Sequence, residues 1–233
     1  MKKLFVLLTF FIMGSLFIWS CSNDDKIIDA GVKLSVSSTL NNPVKTLQPG
    51  SVVITDFKIC IRDIIFKNND DSEFDTNEVQ FRGPFIVDLL DSLTTYSETV
   101  GLIDLPNGVY DKLRLKLHKA ETISEANEMF DKSIIIRGWI NGVAFEMWHD
   151  TDVEFDFDFI SGLNIADNNF NYQIDFNISQ FLNSYYNIDL TLALDEDHDG
   201  IIEINPENDD NNENFAEKLK ENIKYAAELI KKD

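Results

Sequence analysis

Cysteine is almost missing from this chain of 233 residues: Cys21 and Cys60 are its two thiols. A pair allows one disulfide at most, so a hydrophobic core has to hold the fold. Histidine is as scarce, with His118, His149 and His198 alone. None stands in an H-E-x-x-H zinc-protease motif, and no G-x-S-x-G nucleophile elbow occurs. Positive charge is also in short supply. Lys and Arg number 20 against 41 Asp and Glu, a formal net charge of −21. That field repels phosphate backbones, and no Lys/Arg stripe interrupts it, which argues against a nucleic-acid partner. Long apolar runs are limited to one, from Leu4 to Trp19. It falls short of the roughly 20 residues that span a bilayer.

What surrounds that run is informative. Lys2 and Lys3 precede it, Ser20 closes it, and Cys21 follows, ahead of the polar and acidic Ser22-Asn23-Asp24-Asp25. A basic start, an apolar centre and a small residue before the cut describe a secretory signal peptide over residues 1–20; an uncleaved anchor is the alternative. Ile18-Trp19-Ser20-Cys21 resembles the bacterial lipobox, with a bulkier Trp19 than usual. The resemblance implies lipidation of Cys21 as the first mature residue and membrane attachment through it. Ser22 resembles signals for outer-membrane sorting. Residues 21–30 form an acidic tether, whose run Ser22-Asn23-Asp24-Asp25-Lys26 resembles the export tags of surface lipoproteins, with a solvated linker as the alternative. Removing Lys2 and Lys3 leaves 18 basic against 41 acidic residues, a charge of about −23. Such a chain is repelled by anionic lipid, so the acyl groups must do the anchoring.

From residue 31 to 194 the dominant period is two, the signature of half-buried strands. Val32, Leu34 and Val36 alternate with polar neighbours. In the run from Val52 to Lys67, Phe57, Ile59 and Ile61 point one way and Lys58, Cys60 and Arg62 the other. Leu113, Leu115 and Leu117 alternate with Arg114, Lys116 and His118. Asn141-Gly142 between two apolar runs is a hairpin signal. Phe155, Phe157 and Phe159 alternate with Glu154, Asp156 and Asp158, and further strands are expected near 172–178 and 188–194. The pattern predicts an all-β fold, an antiparallel β-sandwich of about nine strands. Eighteen Phe residues suit a packed interior.

Beyond residue 194 the character changes. Residues 195–206 read as an acidic loop, 207–213 as a polar spacer, and 214–232 as an amphipathic helix. On a 3.6-residue wheel Phe215, Leu219, Ile223, Ala226 and Ile230 share one face. Asn214 and Glu217 stand at N-cap and N3 spacing. The apolar stripe needs the sandwich or a partner protein to cover it.

Three stretches together carry a family resemblance: Phe81-Arg82-Gly83-Pro84-Phe85-Ile86-Val87-Asp88-Leu89-Leu90, Leu105-Pro106-Asn107-Gly108-Val109-Tyr110, and Asp199-Gly200-Ile201-Ile202-Glu203-Ile204-Asn205-Pro206. They resemble a set of Bacteroidetes-type lipoproteins with a β-sandwich ectodomain. The first two also resemble a broader bacterial domain of unknown function, held to be prealbumin-like or immunoglobulin-like. The resemblance implies fold and location, and brings no catalytic residue with it.

The strongest site motif is Asp195-Glu196-Asp197-His198-Asp199-Gly200-Ile201-Ile202-Glu203. Carboxylates at positions one, three and five, then glycine, match the first two-thirds of an EF-hand or dockerin loop. Calcium takes about six to eight oxygens, and the glycine allows the turn that converges them. The expected ligands are Asp195, Asp197, Asp199, the Ile201 carbonyl and Glu203. Pro206 stands where a bidentate Glu belongs, with Asn205 or Glu207 as neighbouring substitutes; a solvated acidic turn is the alternative.

Other features are less specific. The row Glu154, Asp156 and Asp158 reads as a solvated sheet face that discourages edge pairing, and residues 70–75 as an exposed hairpin tip. Cys60 reads as a half-buried structural residue, with a thiol activated by Lys58 and Arg62 as the alternative. His149 beside Asp150 reads as an ordinary strand-end histidine or an oriented base. Exposed Trp139 or Trp148 could stack on a sugar, and 41 acids offer many glycosidase-type pairs while singling out none. The expectation is a lipid-anchored outer-membrane protein, facing the surface or the periplasm. It acts as a non-catalytic binding or adhesion module for a protein or glycan, with candidate calcium; a carbohydrate-binding or carbohydrate-active surface protein is the alternative.

Overall fold

A computed structural model describes residues 31–39, 51–68, 78–91, 94–95, 97–166, 169–183, 185–207 and 209–232. The signal segment, Cys21, the acidic tether and the hairpin tip at 70–75 lie outside the described residues. No described helix is long and apolar enough to cross a membrane.

The chain is mostly strand: β1 (Gly31–Thr39), β2 (Val52–Lys67), β3 (Glu78–Asp91), β4 (Thr94–Thr95), β5 (Ser97–Asp104), β6 (Gly108–Leu117), β7 (Ile134–Ile140), β8 (Val143–His149), β9 (Val153–Ile165), β10 (Asn169–Asn177), β11 (Ile201–Ile204) and β12 (Ala227–Lys232). Two helices join them, α1 (Ile178–Asn183) and α2 (Glu213–Ile223). A four-stranded sheet runs β12-β10-β1-β5, and an eight-stranded sheet holds the rest. The all-β expectation holds. The purely antiparallel one does not, since β1 pairs β10 and β11 pairs β8 in parallel.

β2 organises the larger sheet. Its whole length from Asp56 onward pairs with β3. On its other side the first half pairs with β7 and the second with β6. The ladder therefore forks near Cys60, where Cys60 N–H donates to the Ser133 carbonyl and the Cys60 carbonyl accepts from His118 N–H. The period-two pattern explains what lies beneath. Phe57, Ile59 and Ile61 from β2 join Leu113 and Leu115 from β6 and Val32, Leu34, Ile174 and Phe176 from the smaller sheet in one buried core. Phe176 meets Phe155 edge-on at 5.4 Å and Phe57 at 6.1 Å, linking the sheets. The hairpin at Asn141-Gly142 forms as its sequence requires, with φ of 54° and 88° at the two turn residues.

Several expectations fail for physical reasons. Residues 188–194 give a 3-10 turn at Leu190–Leu192, started by Asp189, which accepts from Thr191 N–H; a local side-chain bond outcompetes the ladder. The acidic row of β9 is not merely solvated. Asp156 lies opposite Arg114, and Glu154 opposite Lys116. Arg114 grips Asp156 through two nitrogens at 2.6 and 2.8 Å, holding that carboxyl down at about 2. The expected helix over 214–232 is also shorter. It ends at Ile223, and Ala227–Lys232 becomes an edge strand antiparallel to β10. Phe215, Leu219 and Ile223 still share the packed face, but the β10 edge satisfies six more residues by ladder pairing. Asn214 is not the N-cap; Asn212 is, and its side chain is spent elsewhere.

Candidate functional site

The loop after the 3-10 turn is built from local carboxylate bonds. Asp195 Oδ2 accepts from Gly200 N–H at 3.1 Å, Asp197 Oδ1 from Asp199 N–H at 3.0 Å, and Asp199 Oδ1 from Ile201 N–H at 2.8 Å. Such short-range acceptance curls the backbone and turns alternate acids toward one point. His198 at φ 65° and Gly200 at φ 96° take the left-handed conformations that let the turn close. His198 Nδ1 lies 2.8 Å from the Asp195 carbonyl, which ties the loop's start to its middle. Ile201 then opens β11 opposite Ala144, so the loop's second half is strand rather than coil.

Two overlapping triads of carboxylates result. Oxygens of Asp195, Asp197 and Asp210 lie within 4.8 Å of one another, as do those of Asp197, Asp199 and Glu203. Calcium–oxygen bonds run about 2.3–2.6 Å, so two ligands of one ion are never more than about 5 Å apart. Both triads meet that condition and could hold a metal ion. Of the expected ligands, Asp195 and Asp197 meet in the first triad and Asp197, Asp199 and Glu203 in the second, with Asp197 shared, while Ile201 stands at the head of β11.

The spacer at 207–213 is corrected by the same geometry. Asp210 and Asn212 are buried, 1% and 3% exposed. Asp210 Oδ1 accepts from Glu196 N–H at 2.8 Å, and Oδ2 from Glu203 N–H at 2.7 Å. Asn212 donates to the carbonyls of Leu194 and Glu203 and accepts from Leu194 N–H. These two side chains clamp both ends of the acidic loop. Asp210, not Asn205 or Glu207, is the carboxylate that closes the cluster. An acid lying beyond the twelfth position is outside the twelve-residue loop template.

The electrostatics follow from crowding. Partial burial together with Asp199, Asp210, Asp209 and Asp197 pushes the Glu203 carboxyl above its ordinary value. Asp195 Oδ1 is buried and accepts no hydrogen bond. An acceptor left unspent inside a cluster of negative charge is costly unless a cation meets it.

The remaining candidates separate. Cys60 is buried, not half-buried, under a second small core of Ala120, Met129 and Ile135, and burial pushes its thiol up to about 11. His149 is 3% exposed with neither ring nitrogen hydrogen-bonded. Asp150 lies 3.3 Å away and Glu217 of α2 3.6 Å away. Trp148 packs on the second core with Lys132 over its ring, while Trp139 is 41% exposed. A feature the pattern did not reveal is a group of exposed tyrosines. Tyr185 stacks on Tyr225 at 5.8 Å and meets Tyr186 edge-on at 4.8 Å. Buried Asn222 fixes them, accepting from the N–H of Tyr185 and of Tyr186 and donating to the Tyr186 carbonyl. No protein-family model matches this chain, and no curated protein or solved structure matches it either.

Proposed function

We propose that this chain is a lipid-anchored, extracytoplasmic β-domain of the sandwich type, a non-catalytic binding module whose C-terminal loop is closed by calcium. The observation that carries the calcium reading is the unpartnered Asp195 Oδ1, on a residue whose carboxylate groups with those of Asp197 and Asp210 within 4.8 Å, next to a second triad that shares Asp197. The ion would bind Asp195, Asp197, Asp199, Glu203 and the Ile201 carbonyl, with Asp210 backing the cluster from inside. Calcium at about 100 times its dissociation constant stabilises the folded state by about 2.7 kcal/mol. The melting temperature then rises in millimolar calcium, and the rise is lost in Asp195→Ala or Asp199→Ala. An unchanged melt with calcium and with chelator would leave an acidic turn.

The non-catalytic reading is supported by the titratable inventory: the Cys60 thiol is buried and held protonated, and His149 is enclosed. The anchor reading rests on the sequence around Cys21, which resembles a lipobox. Cys21→Ala abolishes incorporation of labelled fatty acid, and persistent labelling would refute lipidation there.

The tyrosine cluster favours a second reading, in which the ligand is a glycan. Three exposed rings on a clamped backbone offer a stacking platform with little entropy left to lose. Tyr185→Ala with Tyr225→Ala should abolish retention on immobilised glycans that bind the parent chain. Retention that survives both substitutions argues for a protein ligand elsewhere.

A further inference from the structure

The chain enters its first strand at Gly31, which lies opposite both Asp104 of β5 and Asn169 of β10. The turn at Leu105-Pro106-Asn107 and the link from β9 to β10 belong to the same end, so β6 starts and β9 stops there. β2 runs away from it: Lys67 pairs with Lys112 of β6 toward this end, and Val52 with Ile140 at the other. With 16 residues β2 is about 50 Å long. The tether over residues 21–30 can reach about 36 Å at most. A tether shorter than the sheet makes the Gly31 end the one that a bilayer holding Cys21 meets first.

That end carries an apolar crest. Between the pairs Tyr110–Leu163 and Lys112–Asp158, β6 spends Asp111 alone while β9 spends the whole stretch from Phe159 to Gly162. A bulge of this kind pushes its extra residues out of the ladder. Ile160 stands on it with its side chain fully in solvent, 102% exposed. Gly162 takes a φ of 69°, and a Cβ there would come within 2.7 Å of Val109 Cγ1, so the bulge packs directly against exposed Val109. Phe159 packs back onto Tyr172 of β10 at 5.3 Å, and Lys231 of β12 lies over Phe170 at 5.7 Å. The crest is therefore braced by the neighbouring sheet.

The same end holds lysines that the fold does not use. Among the described residues every Lys and Arg forms an ion pair except Lys33, Lys218, Lys231 and Lys232. Three of those four stand here. Lys33 and Lys232 flank Asn171 in one row across β1, β10 and β12, and exposed Leu102 continues the row on β5. Asp104, Asp111 and Asp158 stand at this end too, so charge does not carry a contact here. The lysine stems border the apolar surface, and their ammonium groups are free to reach lipid headgroups.

We infer that this end, led by Ile160, rests in the interfacial layer of the bilayer that holds the chain, which presupposes the anchor proposed at Cys21. Membrane binding scales with buried apolar area, so a crest this small would bind negligibly from solution. On a short tether the contact is intramolecular, at an effective concentration in the millimolar range, and a weak contact is enough to set orientation. Tyr185 and Tyr186, which follow the far end of β10, are then held outward, where a ligand can reach them.

The full chain in phosphatidylcholine vesicles tests this, with tryptophan as reporter and brominated phosphatidylcholine as quencher. Flotation with the vesicles reads the anchor, and quenching reads the crest. The emission that Ile160→Trp adds to the parent's should be quenched in brominated vesicles. That added by Leu192→Trp should not be, since Leu192 is exposed beside the Asn141 turn, at the far end of β2. Tryptophan is itself drawn to an interface, so the reporter is also placed at exposed Ser161, where adding Ile160→Asp should abolish the quenching. Ile160 touches solvent on all sides, so these variants should melt as the parent does, and the melt is recorded alongside. Salt at about 0.5 M, which screens exposed charges, should leave the quenching intact. A chain that does not float overturns the anchor and this contact together. A chain that floats overturns the contact alone if Ile160→Trp is unquenched, if Leu192→Trp is quenched equally, if Ser161→Trp stays quenched beside Ile160→Asp, or if salt removes the effect.

Discussion

Cys60 and His149 are both buried and both titratable, and desolvation moves them in opposite directions along the pH scale. For the thiol the charged form is the anion, so burial pushes it from 9.0 up to about 11. The folded state then keeps its proton where the unfolded chain gives it up. That contribution to stability is complete below about pH 9 and is lost as the pH rises toward about 11. At neutral pH, Cys60 should resist a thiol reagent until the protein unfolds, and a stoichiometric fast reaction in native buffer would contradict the enclosed geometry. For His149 the charged form is the cation, so burial, aided by Lys220, lowers its pKa from 6.5 against the opposing pull of Glu217 and Asp150. The unfolded chain binds the proton first, and stability falls as the pH drops below about 6.5. His149→Leu should flatten this part of the acid limb of a urea-midpoint profile; an identical acid limb in the variant would show that His149 is not the group responsible.

At the scale of elements, the C-terminal strand offers a sharp test. Asp175 lies directly opposite Glu228 across β10 and β12, and like charges in that position destabilise a sheet. Glu228→Lys should therefore stabilise the protein by about 0.2–1 kcal/mol. Were residues 224–232 helical, Glu228 would sit one turn from Lys224 and Lys232, and the same change would destabilise. The sign of the shift in denaturation midpoint distinguishes the two. This element also shows where sequence reading stops. The Asn141-Gly142 hairpin and the limits of β2 were legible because turn chemistry and a period of two are local. Ile230 does fit the helical wheel begun by Phe215, Leu219 and Ile223, but the open edge of β10 takes it into β12 instead, and that edge is set more than fifty residues away. The loop from Asp195 to Glu203 was legible for the same reason as the hairpin. Asp210 was not, since only the tertiary turn after β11 brings it under the loop.

At the scale of the molecule, an excess of carboxylates makes each acidic cluster a reporter of its counter-ion. On β9 the counter-ions are built in: Arg114 and Lys112 hold Asp156 near 2, so its contribution is intact above its ordinary 3.8 and disappears only as the pH falls through about 2. In the loop at 195–203 no basic side chain plays that part among the described residues, and Glu203 moves the other way, upward. A raised carboxyl contributes stability that is complete below its unfolded value of 4.5 and is lost as the pH rises through its folded value. Neutral pH is thus where the loop's carboxylates repel one another most, and where a divalent cation has most repulsion to relieve. On the proposed calcium reading, protons and the ion compete for the same oxygens. The stabilisation added by calcium, measured as the melting temperature in calcium minus that in chelator, should shrink as the pH is lowered from about 7.5 to about 5. Taking the difference cancels His149, whose acid loss is common to both conditions. Magnesium, which demands a tight octahedral shell at about 2.0–2.1 Å, should give a smaller increment throughout. In Asp195→Ala the increment should be near zero at every pH. A calcium increment that stays flat across this range would mean that the ion binds away from Glu203, on carboxylates that the protons do not reach.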